Sequence, residues 1–326
     1  MRLYVSGGSQ RDFHKRTPDW KLALLLELDA DSGRVERALE YVSPPEVCPE
    51  IPSITFKAAS LAGGRLYICT QTEVLVYRSP GFRQEGYLSL PCFNDLHHVC
   101  PLPDGDLAVV STGLDMVVQV DRDGNIKKQW NVLGKPLWER FSPDTDYRKV
   151  ASTKPHDSHP NFAFLVGDDL WVTRCMQRDA VCLTRQGGRM EIDVEKPHDG
   201  IVRGHRVYFT TVNGNIVICD TRTGERLQVV DLNRINRSGM ALGWCRGLEV
   251  LDDHRVVVGF SRLRPTRFVE NVQWAKHMLG MRETIGDLPT RVALFDLKAG
   301  RQLWEVDLEP HGLNTVFSIH RTDPAP

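Results

Sequence analysis

Three short segments rich in histidine are the part of this sequence best suited to chemistry. They are residues 94–98, 155–161 and 196–199. Each segment also carries an aspartate, so an imidazole and a carboxylate lie within a few residues of each other. Neutral imidazole nitrogen is a good ligand for zinc, manganese, iron and copper. We therefore predict that His98, His198 and either His156 or His159 hold one divalent transition metal.

Other side chains near these histidines indicate how such an ion would act. Asp95, Asp157 and Asp199 are suited to accept hydrogen bonds from metal-bound imidazoles. The ion would polarise a carboxylate or carbonyl group, and a histidine or lysine would act as general base. The predicted catalytic residues are Lys57, Arg246 and His97. The plainer alternative is that each histidine is an ordinary loop or core residue that hydrogen-bonds its neighbours.

Basic and amide side chains at related positions predict an anionic ligand. Guanidinium groups pair with carboxylate, sulfate or phosphate through two parallel hydrogen bonds. The predicted substrate-binding residues are Arg174, Asn161, Asn314, Trp244 and Arg262. For Arg262 and Arg264 the alternative is a solvated arginine with an acidic partner. Arg246 lies beside Trp244 and Gly247, which favours a site.

Several function classes lack their motifs in this chain. The sequence has no G-x-S-x-G elbow, P-loop, dinucleotide fingerprint or H-E-x-x-H motif. A serine hydrolase, kinase, dehydrogenase or zincin would need an unrecognised form of site. The formal net charge of −1 provides no global basic field, so we expect neither nucleic acid nor an anionic membrane as partner.

The compartment is predicted from the N-terminus and the cysteines. Residues 1–8 alternate apolar and polar side chains and lack the charged and apolar regions of a signal peptide. No apolar run approaches the ~20 residues that span a bilayer. The eight cysteines contain no C-x-x-C pair, and several lie within apolar strand patterns. We therefore expect a cytoplasmic protein with buried free thiols.

A repeated hairpin positions all of these residues. An apolar strand ends at an aspartate, a turn containing glycine follows, and a second strand begins; the pattern occurs six times, counting two looser copies ending at Gly81 and Gly188. The aspartate hydrogen-bonds nearby N–H groups and the glycine supplies a positive φ. A second hairpin precedes five of these copies. Residues 314–319 and 2–6 are left as unmatched strands at the two ends of the chain.

Four-stranded units repeated six times predict a single all-β domain over residues 1–326, a six-bladed β-propeller whose last blade is closed by both termini. A seven-bladed propeller and a β-sandwich are the alternatives, but the sequence offers no seventh hairpin pair. Counting back nine residues from the second strand of four blades gives Lys57, His98, Asn161 and His198. The other two blades offer Arg246 or Gly247, and Asn314. These residues are expected to surround the propeller axis.

The long connections all fall on the face of the propeller that carries these residues. They are residues 7–21, 131–158, 233–244 and 262–290. Loops longer than about 12 residues in a compact domain are usually functional or disordered. Within residues 268–281, apolar side chains recur at helical spacing. Residues 262–290 are therefore predicted to form a helical lid that brings Trp274 or Met278 toward a ligand, with a decorative surface helix as the alternative.

The hairpin repeats resemble those of six-bladed propellers of the gluconolactonase, paraoxonase and strictosidine-synthase-like group. The segments 243–247 and 260–266 are also similar to an uncharacterised bacterial propeller family, which implies no activity. The gluconolactonase resemblance implies Glu, Asn and Asp ligands around calcium. The predicted ring here has histidine nitrogen instead. Lactonase activity is therefore not carried over.

Two hypotheses of function follow from these residues. The first is a metal-dependent lyase, isomerase or hydrolase that acts on a small anionic organic substrate in the axial pocket. The second is a non-catalytic propeller that binds a small anion or a protein partner through the same face. Propellers serve both roles, so the fold alone does not choose between them.

Overall fold

The computed structural model describes residues 1–10, 20–236, 238, 240–263 and 288–322. In chain order the strands of this part of the chain are β1 Arg2–Gln10, β2 Trp20–Asp29, β3 Arg34–Tyr41, β4 Ala59–Ala62, β5 Arg65–Cys69, β6 Val74–Arg78, β7 Gln84–Leu88, β8 Leu96–Pro101, β9 Leu107–Ser111, β10 Met116–Val120, β11 Ile126–Asn131, β12 Pro160–Val166, β13 Asp169–Arg174, β14 Asp179–Cys182, β15 Arg189–Glu191, β16 Ile201–Arg203, β17 Arg206–Thr211, β18 Asn215–Asp220, β19 Arg226–Asp231, β20 Trp244–Val250, β21 Arg255–Ser261, β22 Arg291–Asp296, β23 Arg301–Asp307 and β24 Thr315–Arg321. The described helical turns are α1 Leu232–Ile235 and the 3-10 turns Pro45–Val47, Thr112–Leu114, Tyr147–Lys149 and Glu309–His311.

These strands form six antiparallel sheets of four strands each. Blade 1 is β4–β7, blade 2 is β8–β11, blade 3 is β12–β15, blade 4 is β16–β19 and blade 5 is β20–β23. The closing blade has the order β24-β1-β2-β3. The innermost strands contact one another in sequence, from β4 through β8, β12, β16, β20 and β24 back to β4. The chain is thus a six-bladed β-propeller, as the repeats predict.

The hairpin turns have the chemistry that the sequence predicts. In blade 4, Oδ1 of Asp220 accepts a hydrogen bond from the backbone N–H of Arg222 (2.7 Å), and Gly224 has φ of 74°. Glycine adopts this left-handed conformation without a Cβ clash, and the aspartate satisfies an N–H group that the turn leaves unpaired. The outer strands therefore reverse within a few residues.

Both ends of the chain meet in the closing blade. Strand β24 pairs with β1 from Leu3 opposite Arg321 to Gly8 opposite Thr315. Gly7 is needed in this seam, because a Cβ there would lie 1.7 Å from the carbonyl oxygen of Thr315. The prediction that residues 314–320 form the innermost strand beside residues 2–6 is therefore confirmed, with β24 shifted by one residue.

Apolar side chains fill the space between neighbouring blades. Val99 and Met116 of blade 2 pack with Cys69 and Val74 of blade 1, for example, and all four are fully buried. Each such side chain stabilises the fold by about 1.5–3 kcal/mol relative to exposure. All eight cysteines are free thiols. None of the described helices is long and apolar enough to cross a membrane.

The structure covers the predicted long loops only in part. The connection from β11 to β12 is described throughout and carries the 3-10 turn Tyr147–Lys149. Residues 11–19 and 264–287 lie outside the described residues, so the predicted lid helix over 268–281 and its Trp274 and Met278 are not among them. Strands β1 and β2 extend into the predicted 7–21 loop, ending at Gln10 and beginning at Trp20.

Candidate functional site

Six side chains, one from each blade, surround the propeller axis at or just before the innermost strands. We call them the axial ring: Lys57, His97, His159, His198, Arg246 and Phe317. The ring centroid of His97 lies 4.9 Å from that of His159 and 6.0 Å from that of His198. Phe317 lies under the two cations, 4.8 Å from Lys57 Nζ and 5.1 Å from the guanidinium carbon of Arg246. The ring therefore combines three imidazoles, two cationic groups and one aromatic face.

Bulges in the innermost strands aim two of these side chains at the axis. The register of β8 against β9 shifts between Leu96 and His98, with His97 as the extra residue. The register of β20 against β21 shifts between Cys245 and Leu248, on either side of Arg246. A bulge inserts an unpaired residue and redirects its side chain, and bulges are frequent beside functional sites. These irregularities place His97 and Arg246 in the axial ring.

The bulge also explains why His98 is absent from the axial ring, where the sequence register had placed it. Its Nδ1 accepts a hydrogen bond from the backbone N–H of Ala163 (3.2 Å), and its Nε2 contacts Ser60 Oγ at 3.0 Å. The imidazole stacks on Phe162 with a centroid distance of 3.6 Å. Both ring nitrogens are thus engaged by protein groups, and His98 joins the innermost strands of blades 1, 2 and 3.

His97 is held in one tautomer by the backbone. Its Nδ1 is 2.8 Å from the carbonyl oxygen of Asp95, an atom that only accepts hydrogen bonds, so Nδ1 carries the hydrogen. The carboxylate of Asp95 pairs with Lys57 at 3.3 Å. Asp95 has φ of 46°, a left-handed conformation that aspartate tolerates better than most residues. This short segment therefore positions a carboxylate, an imidazole and a lysine together.

Burial controls the charge of these groups. Burial lowers the pKa of His97 well below its usual value, and lowers that of His159 to about 3. Burial also lowers the pKa of Lys57, although the charge of Asp95 opposes the shift. For Asp95, burial acts to raise the pKa, but the nearby positive charges, first that of Lys57 and then that of Lys154, outweigh it and hold the pKa well below the ordinary value. The imidazoles are therefore neutral near pH 7, whereas Asp95 is an anion.

The loop that carries His159 is anchored by Asp115. The carboxylate of Asp115 accepts hydrogen bonds from the backbone N–H groups of residues 157, 158 and 159, at 2.8, 3.0 and 2.7 Å. His159 has φ of 57°, and its Nδ1 lies 2.8 Å from Nδ1 of His156. His156 Nε2 contacts Thr153 Oγ1 at 3.3 Å, so both of its ring nitrogens are engaged. Sequence reasoning missed Asp115, because its partners are more than forty residues away along the chain.

His198 has the least satisfied side chain of the axial ring. It is 1% exposed, and neither ring nitrogen has a hydrogen-bond partner among the described residues. Its Nδ1 faces Asp199 Oδ1 at 3.7 Å, which is too long for a hydrogen bond. Asp199 is fixed on its other side, where Oδ2 accepts hydrogen bonds from the Gly247 N–H (3.0 Å) and from Thr210 Oγ1. Burial lowers the pKa of His198, so its imidazole is neutral.

Trp244 extends the aromatic surface beside the axial ring. The guanidinium carbon of Arg246 lies 5.6 Å from the Trp244 ring, and Lys196 Nζ lies 5.7 Å from it. Cations within about 6 Å of an aromatic face are attracted to it. Sequence reasoning named Trp244 and Arg246 but missed Lys196 and Phe317. The apolar strand pattern gave no sign that Phe317 faces the axis.

The two other predicted arginines are paired with carboxylates away from the axial ring. Arg174 binds the buried Asp179 through two hydrogen bonds of 2.8 and 2.6 Å. Arg262 binds Glu309 in the same manner, at 2.8 and 2.7 Å. Both arginines stabilise connections between strands in these contacts, which corresponds to the alternative considered for Arg262.

The two predicted amides also make structural contacts. Asn314 Oδ1 accepts a hydrogen bond from the backbone N–H of Gln10 (2.9 Å) in the closing seam. Asn161 Nδ2 donates to the carbonyl oxygen of Pro197 (2.8 Å), and its buried Oδ1 has no hydrogen-bond partner among the described residues. Asn161 therefore links blade 3 to the segment that carries His198.

The described residues include no group of three or more His, Cys, Asp or Glu side chains that is arranged to hold a metal ion. Of the predicted ligands, His98 and His156 have both nitrogens engaged. Nitrogens that could still reach an ion belong to His97, His159 and His198. The zinc, manganese, iron or copper site stays a prediction.

Comparison with known proteins supports the fold. No family model and no curated protein matches the sequence. The structure is similar to that of a protein of unknown function from Bacteroides caccae, with a TM-score of 0.61 and 12% identity over 98% of this chain and 97% of that one. A nidogen/laminin complex matches with a TM-score of 0.57 and 7% identity over 98% and 97% of the two chains. Both likenesses agree with the β-propeller class and, at these identities, show the fold alone.

A weaker likeness joins the chain to virginiamycin B lyase from Staphylococcus aureus. The TM-score is 0.45 and the identity 12%, over 75% of each chain. That value is too low to bear on the activity of this protein. The functional argument therefore depends on the axial ring.

Proposed function

We propose that this protein is an enzyme that binds a small organic anion in the axial ring and transfers a proton on it with a neutral imidazole. The observation that carries the proposal is the convergence of Lys57 and Arg246 with His97 and His198 around one aromatic face. Cations recognise carboxylate or phosphate, and a neutral imidazole beside them is a general base.

The local charge supports an anionic ligand. Lys57, Arg246 and Lys154 all act on the imidazole pKa values of the axial ring, whereas Asp95 and Asp199 supply the opposing negative charge. Asp95 is already paired with Lys57. Among the described residues that act on these imidazoles, three are cations and two are carboxylates, although the formal net charge of the chain is −1. This local charge favours an anionic ligand.

The proposed division of roles follows the geometry. Lys57 and Arg246 hold the anionic group against Phe317, and His97 or His198 accepts a proton from the carbon or oxygen beside it. Lyases, isomerases and hydrolases all use such a step. The resemblance of the repeats to the gluconolactonase and strictosidine-synthase-like group remains a prediction, as does a cytoplasmic, bacterial setting.

A second candidate is the metal-dependent form of the same enzyme. It is favoured by His97. The Nδ1 of this residue donates to a backbone carbonyl and Nε2 keeps its lone pair, which is the arrangement usual for metal-bound histidine. A divalent ion at His97, His159 and His198 would polarise the bound carboxylate. Elemental analysis of protein purified without a His-tag tests this form. One bound ion per chain that His97→Asn removes would support it, and metal-free protein with full activity would overturn it.

The anion site is tested by exchanging one lysine. We expect Lys57→Met to weaken binding of citrate, succinate or inorganic phosphate by about tenfold or more, because the variant removes a cation in a poorly hydrated site. Lys127→Met is the matched control, since Lys127 also pairs with an aspartate (Asp121, 3.0 Å) but on an outer hairpin. Isothermal titration calorimetry measures both.

The results separate the hypotheses. Equal affinity of Lys57→Met and the wild type for every bound anion would overturn the proposed site. Binding that depends on Lys57, with no turnover of any bound acid by NMR, would favour the non-catalytic alternative in which the propeller only binds an anion or a protein partner.

A further inference from the structure

We propose that the ligand of the axial ring is a hydroxy acid, an anion with a hydroxyl group on the carbon next to it. The inference rests on the proposed function and names its substrate class. It comes from the hydrogen-bonding capacities of the side chains in the axial ring, in particular from His97 and His198.

His97 presents a hydrogen-bond acceptor to the axis. Because Nδ1 carries the hydrogen and donates to the Asp95 carbonyl, Nε2 of the neutral ring has only a lone pair. The side chain is buried, and Nε2 makes no hydrogen bond to any part of the chain that the structure describes. A ligand that covers this atom without supplying a donor would leave the acceptor unsatisfied, at a cost of about 1–3 kcal/mol. A ligand that brings a donor to this atom avoids that cost.

His198 also has nitrogens that need hydrogen-bond partners. Both of its ring nitrogens lack partners among the described residues, and the side chain is 1% exposed. A neutral imidazole has one N–H donor and one lone pair. His97 and His198 together therefore offer two acceptors and one donor. A simple carboxylate has acceptors only and would leave both lone pairs unmatched.

The positions of these groups place the hydroxyl next to the anion. His97 and His198 lie 6.5 and 6.4 Å from Phe317, centroid to centroid, and the two cations lie 4.8 and 5.1 Å from the same ring. Lys57 is joined to His97 through Asp95, which pairs with one and accepts from the other. An anionic group held by Lys57 and Arg246 and a hydroxyl held by the imidazoles can therefore belong to one small ligand that lies over Phe317. A 2-hydroxy carboxylate has this shape.

Alternative donors do not fit as well. The charge of Lys57 acts on His97, but Lys57 is hydrogen-bonded to Asp95 and is expected to face the anion. A divalent ion would use the same lone pair of His97, so the experiment is done both on untreated protein and on protein treated with EDTA and dialysed.

The test compares acids that differ only in the hydroxyl group. The probes are lactate against propionate and malate against succinate, measured by isothermal titration calorimetry. We expect each hydroxy acid to bind about tenfold more tightly than its partner without the hydroxyl. In His97→Phe the two acids of each pair should bind with about equal affinity, because the acceptor for the hydroxyl is gone. His205→Phe is the control, because His205 is exposed on a hairpin turn.

A second variant covers the case in which His97→Phe fails to fold. In His97→Asn the side-chain amide can still donate to the Asp95 carbonyl but has no atom at the place of Nε2, so the same loss of preference is expected. Equal binding of both acids of a pair, with affinity that depends on Lys57, would overturn the hydroxy-acid inference and leave the proposed anion site standing. A hydroxyl preference that disappears with EDTA would overturn it in favour of a metal ion. No binding of any acid would mean that the proposed function itself has failed.

Discussion

His97 and His98 are neighbours in the sequence, but their side chains point to different surroundings and have different roles. The imidazole of His97 faces the axis with an open nitrogen, whereas His98 is 1% exposed, with both nitrogens engaged by blades 1 and 3. The difference comes from the single extra residue in β8. One histidine is therefore available for a ligand, and the other is part of the scaffold that holds the innermost strands together.

We expect His98→Leu to destabilise the protein by about 2–3 kcal/mol at pH 7, because the Ala163 N–H loses its acceptor and stays buried. Burial lowers the pKa of His98 from 6.5 to about 3. Below pH 6.5 the imidazole of His98 therefore binds a proton in the unfolded chain but not in the folded chain. Protonation favours the unfolded state, so the stabilisation by His98 is lost as the pH falls. The deficit of the variant should shrink by about 1.4 kcal/mol per pH unit in that window.

Urea unfolding of the wild type and His98→Leu between pH 7 and pH 4 measures this effect. Thr173→Val serves as the control, since it also takes a buried acceptor away from a backbone N–H, that of Phe162 (3.0 Å), but removes no group that titrates between pH 4 and pH 7, so its deficit should stay constant. A deficit of His98→Leu that is constant across the pH range would contradict the assignment of His98 as a neutral buried base.

Individual residues of the site were predictable where the hairpin spacing fixed them. Lys57 and His198 were placed at the axis by counting from the repeated turns, because a turn sets the register of its strand, and blade 5 was narrowed to Arg246 or Gly247. The choice between His97 and His98 was not open to this method, since a bulge shifts the count by one residue without a signal in the sequence. Phe317 and Asp115 were missed for a related reason. Their roles depend on contacts with other blades.

At the scale of elements, the connection from β11 to β12 is the piece that the axial ring depends on most. It wraps from blade 2 to blade 3 and delivers His156 and His159. Asn94 also holds it, donating from Nδ2 to the carbonyl oxygens of Tyr147 and Val150, both at 2.8 Å. Loops can place functional groups accurately when a rigid scaffold holds them at several points.

We expect Asp115→Ala to lower stability by about 2–4 kcal/mol and to weaken anion binding, because three backbone N–H groups lose a buried acceptor and His159 is released. Asp121→Ala is the matched control. Asp121 also accepts from two backbone N–H groups, but in an outer hairpin turn far from the axial ring.

Thermal unfolding and titration of the bound acid test both variants. The control should lose some stability and keep its affinity. Asp115→Ala with unchanged ligand affinity would show that the position of His159 does not matter for binding.

The elements themselves were predictable because their signals are local. An aspartate and a glycine a few residues apart specify a turn by their own chemistry, so the number of hairpins could be read directly. The contacts that anchor the long loops could not be predicted from the sequence, since contacts such as that of Asp115 with His159 join distant parts of the chain. The pairing of Arg174 with Asp179 and of Arg262 with Glu309 was hidden for the same reason.

For the molecule as a whole, the seam between β24 and β1 closes the ring. Ser6 Oγ and Ser318 Oγ lie 2.7 Å apart across it, and Ser6 also donates to the carbonyl oxygen of Lys57. The hydroxyl of Ser318 accepts from the Ala59 N–H (3.1 Å). The seam is thus tied to blade 1 beside the axial ring, and the position of Lys57 depends on it.

We expect Gly7→Ala to destabilise the protein by about 3 kcal/mol or more, because its Cβ would overlap the Thr315 carbonyl and only backbone movement could relieve the clash. Gly63→Ala is the control. Gly63 has φ of 56°, and a Cβ at this position would meet no other atom within 4 Å, so only the conformational cost of about 1 kcal/mol applies. Chemical denaturation of both variants measures the difference. Equal free energies of unfolding would mean that the close packing of the seam contributes little to stability.

The seam also has a consequence for the order in which the blades follow one another along the sequence. The backbone N–H of Thr322 donates to the carbonyl oxygen of Arg2 (3.0 Å), so residues near the two ends are direct neighbours in one sheet. A ring of blades has no intrinsic first member. A gene permuted to join these residues by a short linker, and to open instead in the exposed turn around Asp123, would encode the same circle of six sheets with its point of closure moved to blade 2.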